Sequence, residues 1–142
     1  MLTGIISDHG GFVLKEEIKK HFPDVLWKDY GCYSEESVDY PDMAKNLAEG
    51  VIKGEVGRGI SICGTGIGIS IALNRYKKIR AALCHNIFTA EMARKHNDAN
   101  ILSLGGRIID HETAYAIVET FFNTDFEGGR HQRRVEKIDI LS

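Results

Sequence analysis

Short apolar runs alternate with amphipathic segments along the chain. The apolar runs are rich in β-branched residues and are bounded by glycine or polar residues, which is typical of strands buried in a parallel sheet. The pattern predicts five strands: Leu2–Ser7, Val25–Trp27, Arg58–Cys63, Arg80–Cys84 and Asn100–Leu104.

The segments between these runs have helical spacing. In the first segment, Leu14, Ile18 and Phe22 recur at every fourth position and form one apolar face. The second helix begins at Pro41, because proline is favoured in the first turn of a helix. We predict helices over Phe12–Phe22, from Pro41 to Ile52, from about Gly68 to Asn74, up to about His96, over Glu112–Phe122, and a short one in the tail Phe126–Ser142.

Strands that alternate with helices of this length form βαβ units. The expected fold class is therefore α/β: a single-domain, doubly wound, five-stranded parallel sheet with helices on both faces, a Rossmann-like αβα sandwich over residues 1–142. We expect the strand order 2-1-3-4-5. Ligands of such sheets bind at the carboxyl ends of the strands where the order reverses, here between the first and third strands.

Composition narrows the function classes. Hydrophobic residues make up 43% and charged residues 27% of the 142 residues, which is ordinary for a soluble domain. The net charge of −2 gives no global field for nucleic acid, and no apolar run approaches the about 20 residues of a membrane span. The N-terminus lacks the pattern of a secretory signal, and three widely spaced cysteines indicate a reducing compartment, so we expect a cytoplasmic protein.

The third predicted strand runs into a glycine-rich turn, SICGTGIGIS at 61–70. A dinucleotide fingerprint needs G-x-G-x-x-G and a later acidic residue, but Ile69 occupies the third glycine position. A phosphate-binding P-loop needs Gly-Lys-Ser/Thr, which is absent. The many backbone N–H groups of the turn still suit an anion or an oxyanion that forms during a reaction.

Cys63 stands at the start of this turn, just before a predicted helix. That position favours a thiolate, while a free cysteine at a strand end is equally often a small buried apolar residue. Spacing alone leaves both interpretations open. Cys32 and Cys84 lack such a setting, and we expect them to be structural or incidental.

Two further polar groups follow predicted elements. Asp8 and His9 come directly after the first strand; a helix cap would explain the aspartate but not the histidine, which favours a functional role. His96 and Asn97 close a helix, where a histidine also interacts favourably with the helix dipole.

Arginines mark the end of the fifth strand and the tail. Arg107 follows two glycines, and Arg130 and Arg134 are spaced i, i+4, so that they project together. A charge run is usually a solvated face, but such a pair also suits the phosphate of a small ligand. No CxxC, HExxH or clustered carboxylates are found, so we expect no metal site, and no G-x-S-x-G elbow indicates a serine hydrolase.

Taken together, five motifs resemble those of the type B ribose-5-phosphate isomerases, a family that also contains galactose-6-phosphate isomerase subunits. In chain order they are SDHGG at 7–11, DYPD at 39–42, CGTGIGISIA at 63–72, RKHNDANILSLGGR at 94–107 and GGRHQRRV at 128–135. The resemblance covers essentially the whole chain.

The resemblance implies a role for each matching residue. Cys63 would be the base that moves a proton between C1 and C2, and His96 would help to open the furanose ring with Thr65 and Asp8. One branch of the family uses a glutamate early in the following helix instead, but Gly68-Ile69-Ser70 contains no acid, which places this chain in the cysteine branch. The implied substrate-binding residues are Asp8, His9, Tyr40, Gly64, Thr65, Gly66, Ile67, Gly68, Asn97, Arg107, Arg130 and Arg134.

The resemblance further implies the interconversion of ribose 5-phosphate and ribulose 5-phosphate in the non-oxidative pentose phosphate pathway, without a cofactor. It implies a homodimer with shared active sites, in which the tail 126–142 contributes to the phosphate site and the dimer. Two alternatives remain open: an isomerase of allose or galactose 6-phosphate, and a non-catalytic binder of sugar phosphates.

Overall fold

The computed structural model describes residues 2–140, which form five strands and six helices. The predicted elements are all found, and the largest displacement is that of the second strand, which begins two residues later than predicted, at Trp27. The elements are β1 Thr3–Ser7, α1 Phe12–His21, β2 Trp27–Asp29, α2 Tyr40–Ile52, β3 Arg58–Cys63, α3 Ile67–Leu73, β4 Ala81–Leu83, α4 Ile87–Asn97, β5 Ile101–Gly105, α5 His111–Asn123 and α6 Arg130–Ile140.

The strands form one parallel sheet in the order β2-β1-β3-β5-β4. The α/β doubly wound class is confirmed, but the predicted order 2-1-3-4-5 is wrong in its last two positions. β5 pairs with β3 along its length, with Ile60 opposite Leu102, and β4 pairs only with β5. The physical reason is burial: every residue of β5 is buried, whereas the three residues of β4 are half-buried, as suits a short edge strand.

The sheet separates two apolar cores, because side chains alternate between its faces. On one face, Ile60 and Ile62 pack with α1, α4 and α5. On the other face, Ile6 and Cys63 pack with α2 and α3. Cys63 therefore ends β3 with its side chain towards the helices α2 and α3.

A buried charge ties α1 to the end of β2. Lys15 is fully buried, and its Nζ donates to both carboxylate oxygens of Asp29 at 2.8 Å and to the carbonyl oxygen of Cys32. Burial by itself raises the pKa of Asp29, but hydrogen bonds from Lys15 and Lys19 outweigh it and lower that pKa. The ion pair holds the chain after β2 beside the carboxyl end of β1.

The last helix, α6, packs on α4, and His131 is its one buried side chain between Arg130 and Ile140. Within residues 2–140, no helix combines the length and the apolar character that crossing a membrane would need.

Candidate active site

The carboxyl ends of β1, β3 and β5 meet at one edge of the sheet, which we call the carboxyl edge. Backbone hydrogen bonds join them: the Asp8 N–H donates to the Ile62 carbonyl at 3.1 Å, and the Arg107 N–H donates to the Gly64 carbonyl at 2.9 Å. The structure thus brings together Asp8, Cys63 and Arg107. The strand-end argument predicted the first two, and Arg107 joins them because β5 lies beside β3 in the observed order.

Cys63 combines burial with a specific hydrogen bond. The residue is 5% exposed, and its Sγ accepts the Gly66 N–H at 3.1 Å. An N–H donor directed at sulphur favours negative charge there. Both interpretations that spacing left open therefore describe part of the geometry: Cys63 packs among apolar residues, and its sulphur is held by the glycine turn.

Two positions of the glycine turn, Gly66 and Gly68, have no room for a side chain. Gly66 has φ +79°, and a Cβ there would lie 2.5 Å from Leu83 Cδ1 and 2.8 Å from the carbonyl carbon of Leu104. A Cβ on Gly68 would lie 2.8 Å from the Tyr40 ring, so Tyr40 covers the turn. The predicted Tyr40 is therefore close to the predicted turn.

The exposed part of the turn is ordered by its own side chain. The Ile67 N–H donates to Thr65 Oγ1 at 3.2 Å, and both residues are exposed. Thr65 thus presents its hydroxyl at the start of α3.

Asp8 is held by the chain that follows it. Its Oδ1 accepts the Gly10 N–H at 2.9 Å, and the aspartate is 8% exposed. The Asp8 side chain and the Arg107 guanidinium both converge on Gly10, since a Cβ there would lie 3.3 Å from Asp8 Oδ1 and 3.4 Å from Arg107 Nη2. Arg107 also lies over Gly64, with its Nη1 3.2 Å from the position of a Cβ.

His9 has one nitrogen in use and one available. Its Nδ1 accepts the Val38 N–H at 3.2 Å, which leaves Nε2 as the nitrogen that carries a proton. His9 and Arg107 therefore supply hydrogen-bond donors at the carboxyl edge, a setting that suits an anionic ligand.

His96 and Asn97 lie elsewhere in the described chain. They end α4, which runs antiparallel to the strands and leads into the start of β5. This is the opposite edge of the sheet, which we call the amino edge. One chain therefore does not bring His96 and Cys63 together.

The amino edge has its own polar group. The rings of His96 and His131 stack with centroids 4.2 Å apart, and Glu127 Oε1 lies 3.4 Å from His131 Nε2. A cavity of about 370 Å³ beside them is lined by His96, Asn97, His131, Arg134, Val135 and Ile138. Arg130 and Arg134 are exposed on α6. Exposure fits both interpretations of this pair, a surface that faces solvent and a binding site for the phosphate of a ligand.

Burial lowers the pKa of His131, and the charges of His96 and Arg130 act in the same direction. His131 and Glu127 were not among the predicted site residues. No local signal marks them, because Glu127 lies in the loop before α6, where i, i+4 spacing does not by itself bring two side chains together.

Comparisons with known proteins show the family of the chain. Residues 3–138 match the family model described as Ribose/Galactose Isomerase. Ribose-5-phosphate isomerase B of Escherichia coli K12 is 47% identical over 136 residues, which cover 94% of this chain and 91% of that protein.

Two solved structures have the same fold. The ribose-5-phosphate isomerase B of Clostridium thermocellum is 50% identical, with a TM-score of 0.97 and coverage of 99% of this chain and 97% of that one. The ribose 5-phosphate isomerase of Thermotoga maritima is 52% identical, with a TM-score of 0.96 and coverage of 98% and 97%. This chain therefore belongs to the ribose/galactose isomerase family.

Proposed function

We propose that the chain interconverts ribose 5-phosphate and ribulose 5-phosphate through an enediolate, with Cys63 as the base. The observation that carries the proposal is the hydrogen bond from the Gly66 N–H to Cys63 Sγ, at the edge where Asp8 and Arg107 also converge. Family membership supports it, because aldose–ketose isomerisation needs a base, an oxyanion site and an anchor for a distant phosphate.

The proton balance follows from the proposal. The thiolate removes the proton from C2 of the open-chain aldose, and the C1 carbonyl oxygen takes up negative charge. The N–H groups of the turn from Gly64 to Gly68 that are not donated to Cys63 Sγ or Thr65 Oγ1 stabilise that charge. The Cys63 thiol then returns the proton to C1, and the proton of the C2 hydroxyl is transferred to the C1 oxygen, which leaves a ketone at C2 and a hydroxyl at C1.

We assign the remaining predicted residues to binding and ring opening. His96 would open the furanose ring with Thr65 and Asp8. The phosphate would be held by His9, Arg107, Arg130 and Arg134, and the sugar hydroxyls by Asp8, Tyr40 and Asn97. The Nε2 of His9 and the guanidinium of Arg107 support this assignment, since both donate at the carboxyl edge.

The assignment requires two copies of the chain, because His96 and Cys63 lie at opposite edges of the sheet. We propose a homodimer in which α6 and the tail 126–142 of one copy complete the site of the other. Exposed apolar side chains support an interface near the carboxyl edge: Ile67, Ile71, Ile87, Phe88 and Ile108 are each about half exposed or more.

Mixing two impaired variants tests the shared site. Cys63→Ser and His96→Asn damage different halves, so a mixture refolded in equal amounts forms some dimers with one intact site. We expect recovery to about one quarter of the wild-type activity. A mixture no more active than its parents would contradict the shared site.

Turnover tests the reaction itself. A panel of ribose 5-phosphate, allose 6-phosphate and galactose 6-phosphate, assayed with the same enzyme, separates the five-carbon reaction from the six-carbon alternative that the family description keeps open. Lack of turnover with every substrate would favour the non-catalytic binder. Solvent deuterium in product isolated early from D₂O would support proton transfer through a base.

We also propose a cytoplasmic enzyme of the non-oxidative pentose phosphate pathway. The free state of Cys32, Cys63 and Cys84 supports a reducing compartment.

A further inference from the structure

One side-chain group at the amino edge has the composition of a metal site. Among the residues from 2 to 140, His96, Glu127 and His131 each offer one ligand atom, and these atoms lie within 4.8 Å of one another. The proposed isomerisation uses only one of the three. Two imidazoles and one carboxylate form a donor set that Zn²⁺ uses where a fourth position stays open.

Two of the three distances between ligand atoms approach those around a tetrahedral ion, and the third is no longer than 4.8 Å. Zinc bonds of about 2.0–2.2 Å place neighbouring ligand atoms about 3.3–3.5 Å apart. The distance from His131 Nε2 to Glu127 Oε1 is 3.4 Å, and that from His96 Nε2 to the same oxygen is 3.9 Å. The His96 and Glu127 side chains are 39% and 47% exposed, so both are free to close the remaining gap.

An independent observation points to a ligand. His131 Nε2 is buried and has no hydrogen-bond partner among the described residues, although the Glu127 carboxylate is near. The His131 side chain is only 8% exposed. An unsatisfied buried nitrogen destabilises the folded protein, and coordination would satisfy it.

We propose that His96, Glu127 and His131 bind Zn²⁺ and that the bound ion removes His96 from ring opening. The inhibitory half rests on the proposed function, whereas the binding half does not. Arg130 and Arg134 lie close enough to influence His131 and oppose a cation, so we expect reversible binding and not a permanently occupied structural site.

A titration of the full-length protein tests whether the three residues bind Zn²⁺. Metal-free wild type is titrated with Zn²⁺ against a chromophoric chelator, and we expect one ion per chain. Glu127→Gln removes one ligand and should weaken binding at least about tenfold. The matched control is Glu136→Gln, which removes an exposed carboxylate on the following helix α6 and should bind as wild type.

Cobalt identifies the ligands. Co²⁺ at this site should show tetrahedral d–d absorption without a thiolate charge-transfer band, and Cys63→Ser should bind as wild type. A thiolate band, equal affinity in Glu127→Gln and wild type, or no binding would each overturn the proposal. Thermal unfolding checks that Glu127→Gln remains folded, and His131→Asn provides a second variant.

Initial rates test the second half. Added Zn²⁺ should slow the reaction of ribose 5-phosphate more than that of ribulose 5-phosphate, and Glu127→Gln should resist this inhibition. Equal inhibition of Glu127→Gln and wild type would overturn the inhibitory role. A protein without isomerase activity that still binds Zn²⁺ through Glu127 would contradict the proposed function and leave the binding site standing.

Discussion

The two edges of the sheet differ in how far their polar side chains are exposed and in how those side chains are held. At the carboxyl edge, Asp8 and Cys63 are less than one tenth exposed and are held by backbone N–H groups. At the amino edge, His96 is 39% exposed, and Arg130 and Arg134 project from α6 into solvent. A reacting group benefits from rigid, dry surroundings, whereas long cationic side chains gain their full effect only when a second surface covers them.

The buried thiols of Cys63 and Cys84, which pack on opposite faces of the sheet, allow a second comparison. Cys84 is buried, and burial raises the pKa of its thiol. Cys63 is about as buried, but its sulphur accepts an amide hydrogen. Burial alone therefore does not separate a structural cysteine from a candidate base; the donor does.

The largest effect is expected from Cys63→Ser. The hydroxyl is a far weaker base, so kcat should fall by about 10²–10⁴-fold while the fold is kept. Steady-state kinetics with ribose 5-phosphate measure this. The control Cys84→Ser should retain most of the activity. Near-normal turnover of Cys63→Ser would show that Cys63 is not the base.

The next largest effect is a difference in unfolding free energy between two glycine variants, one in the turn after β3 and one just before α6. Gly66→Ala combines a positive φ with a clash against the backbone of Leu104, and should cost about 3 kcal/mol or more of unfolding free energy. Gly129→Ala, also at positive φ (+55°) but with nothing near the new Cβ, should cost about 1–2 kcal/mol. Urea unfolding measures both, and equal losses would contradict the contrast in packing.

Binding at the amino edge should respond to Arg134→Ala. A charge-assisted hydrogen bond to phosphate is worth about 1.5–3 kcal/mol, so KM should rise about ten- to a hundredfold while the melting temperature barely moves. Arg133→Ala changes the adjacent exposed arginine and should leave KM nearly unchanged. Identical kinetics of both variants would show that Arg134 does not bind the phosphate and that the arginines of α6 only face solvent.

The smallest effect concerns His96→Asn. Because ribulose 5-phosphate has no furanose ring to open, the initial rate with ribose 5-phosphate should fall about tenfold further than the reverse rate. His111→Asn, an exposed histidine on α5, serves as the control. An equal loss in both directions under single-turnover conditions would show that His96 is not a dedicated ring opener.

Local patterns in the sequence predicted the helices and strands and the candidate residues at the ends of β1 and β3. Apolar runs predicted β3 with its observed bounds, Arg58–Cys63, because period and residue type are properties of a short segment. The same run located Cys63 at a strand end before a glycine turn. Asp8 and His9 followed from the rule that ligands bind where neighbouring parallel strands end, whereas the role of Arg107 came from the resemblance to the family.

Only the tertiary structure decided the strand order and the neighbours of His96. β5 lies between β3 and β4 because it buries more, and that comparison is made between segments far apart in the chain. The stacking of His96 on His131 depends on where α6 packs against α4, and the i, i+4 spacing of Glu127 and His131 gives no hint of it. Long-range packing also places His96 and Cys63 at opposite edges, because a helix between parallel strands must run back across the sheet.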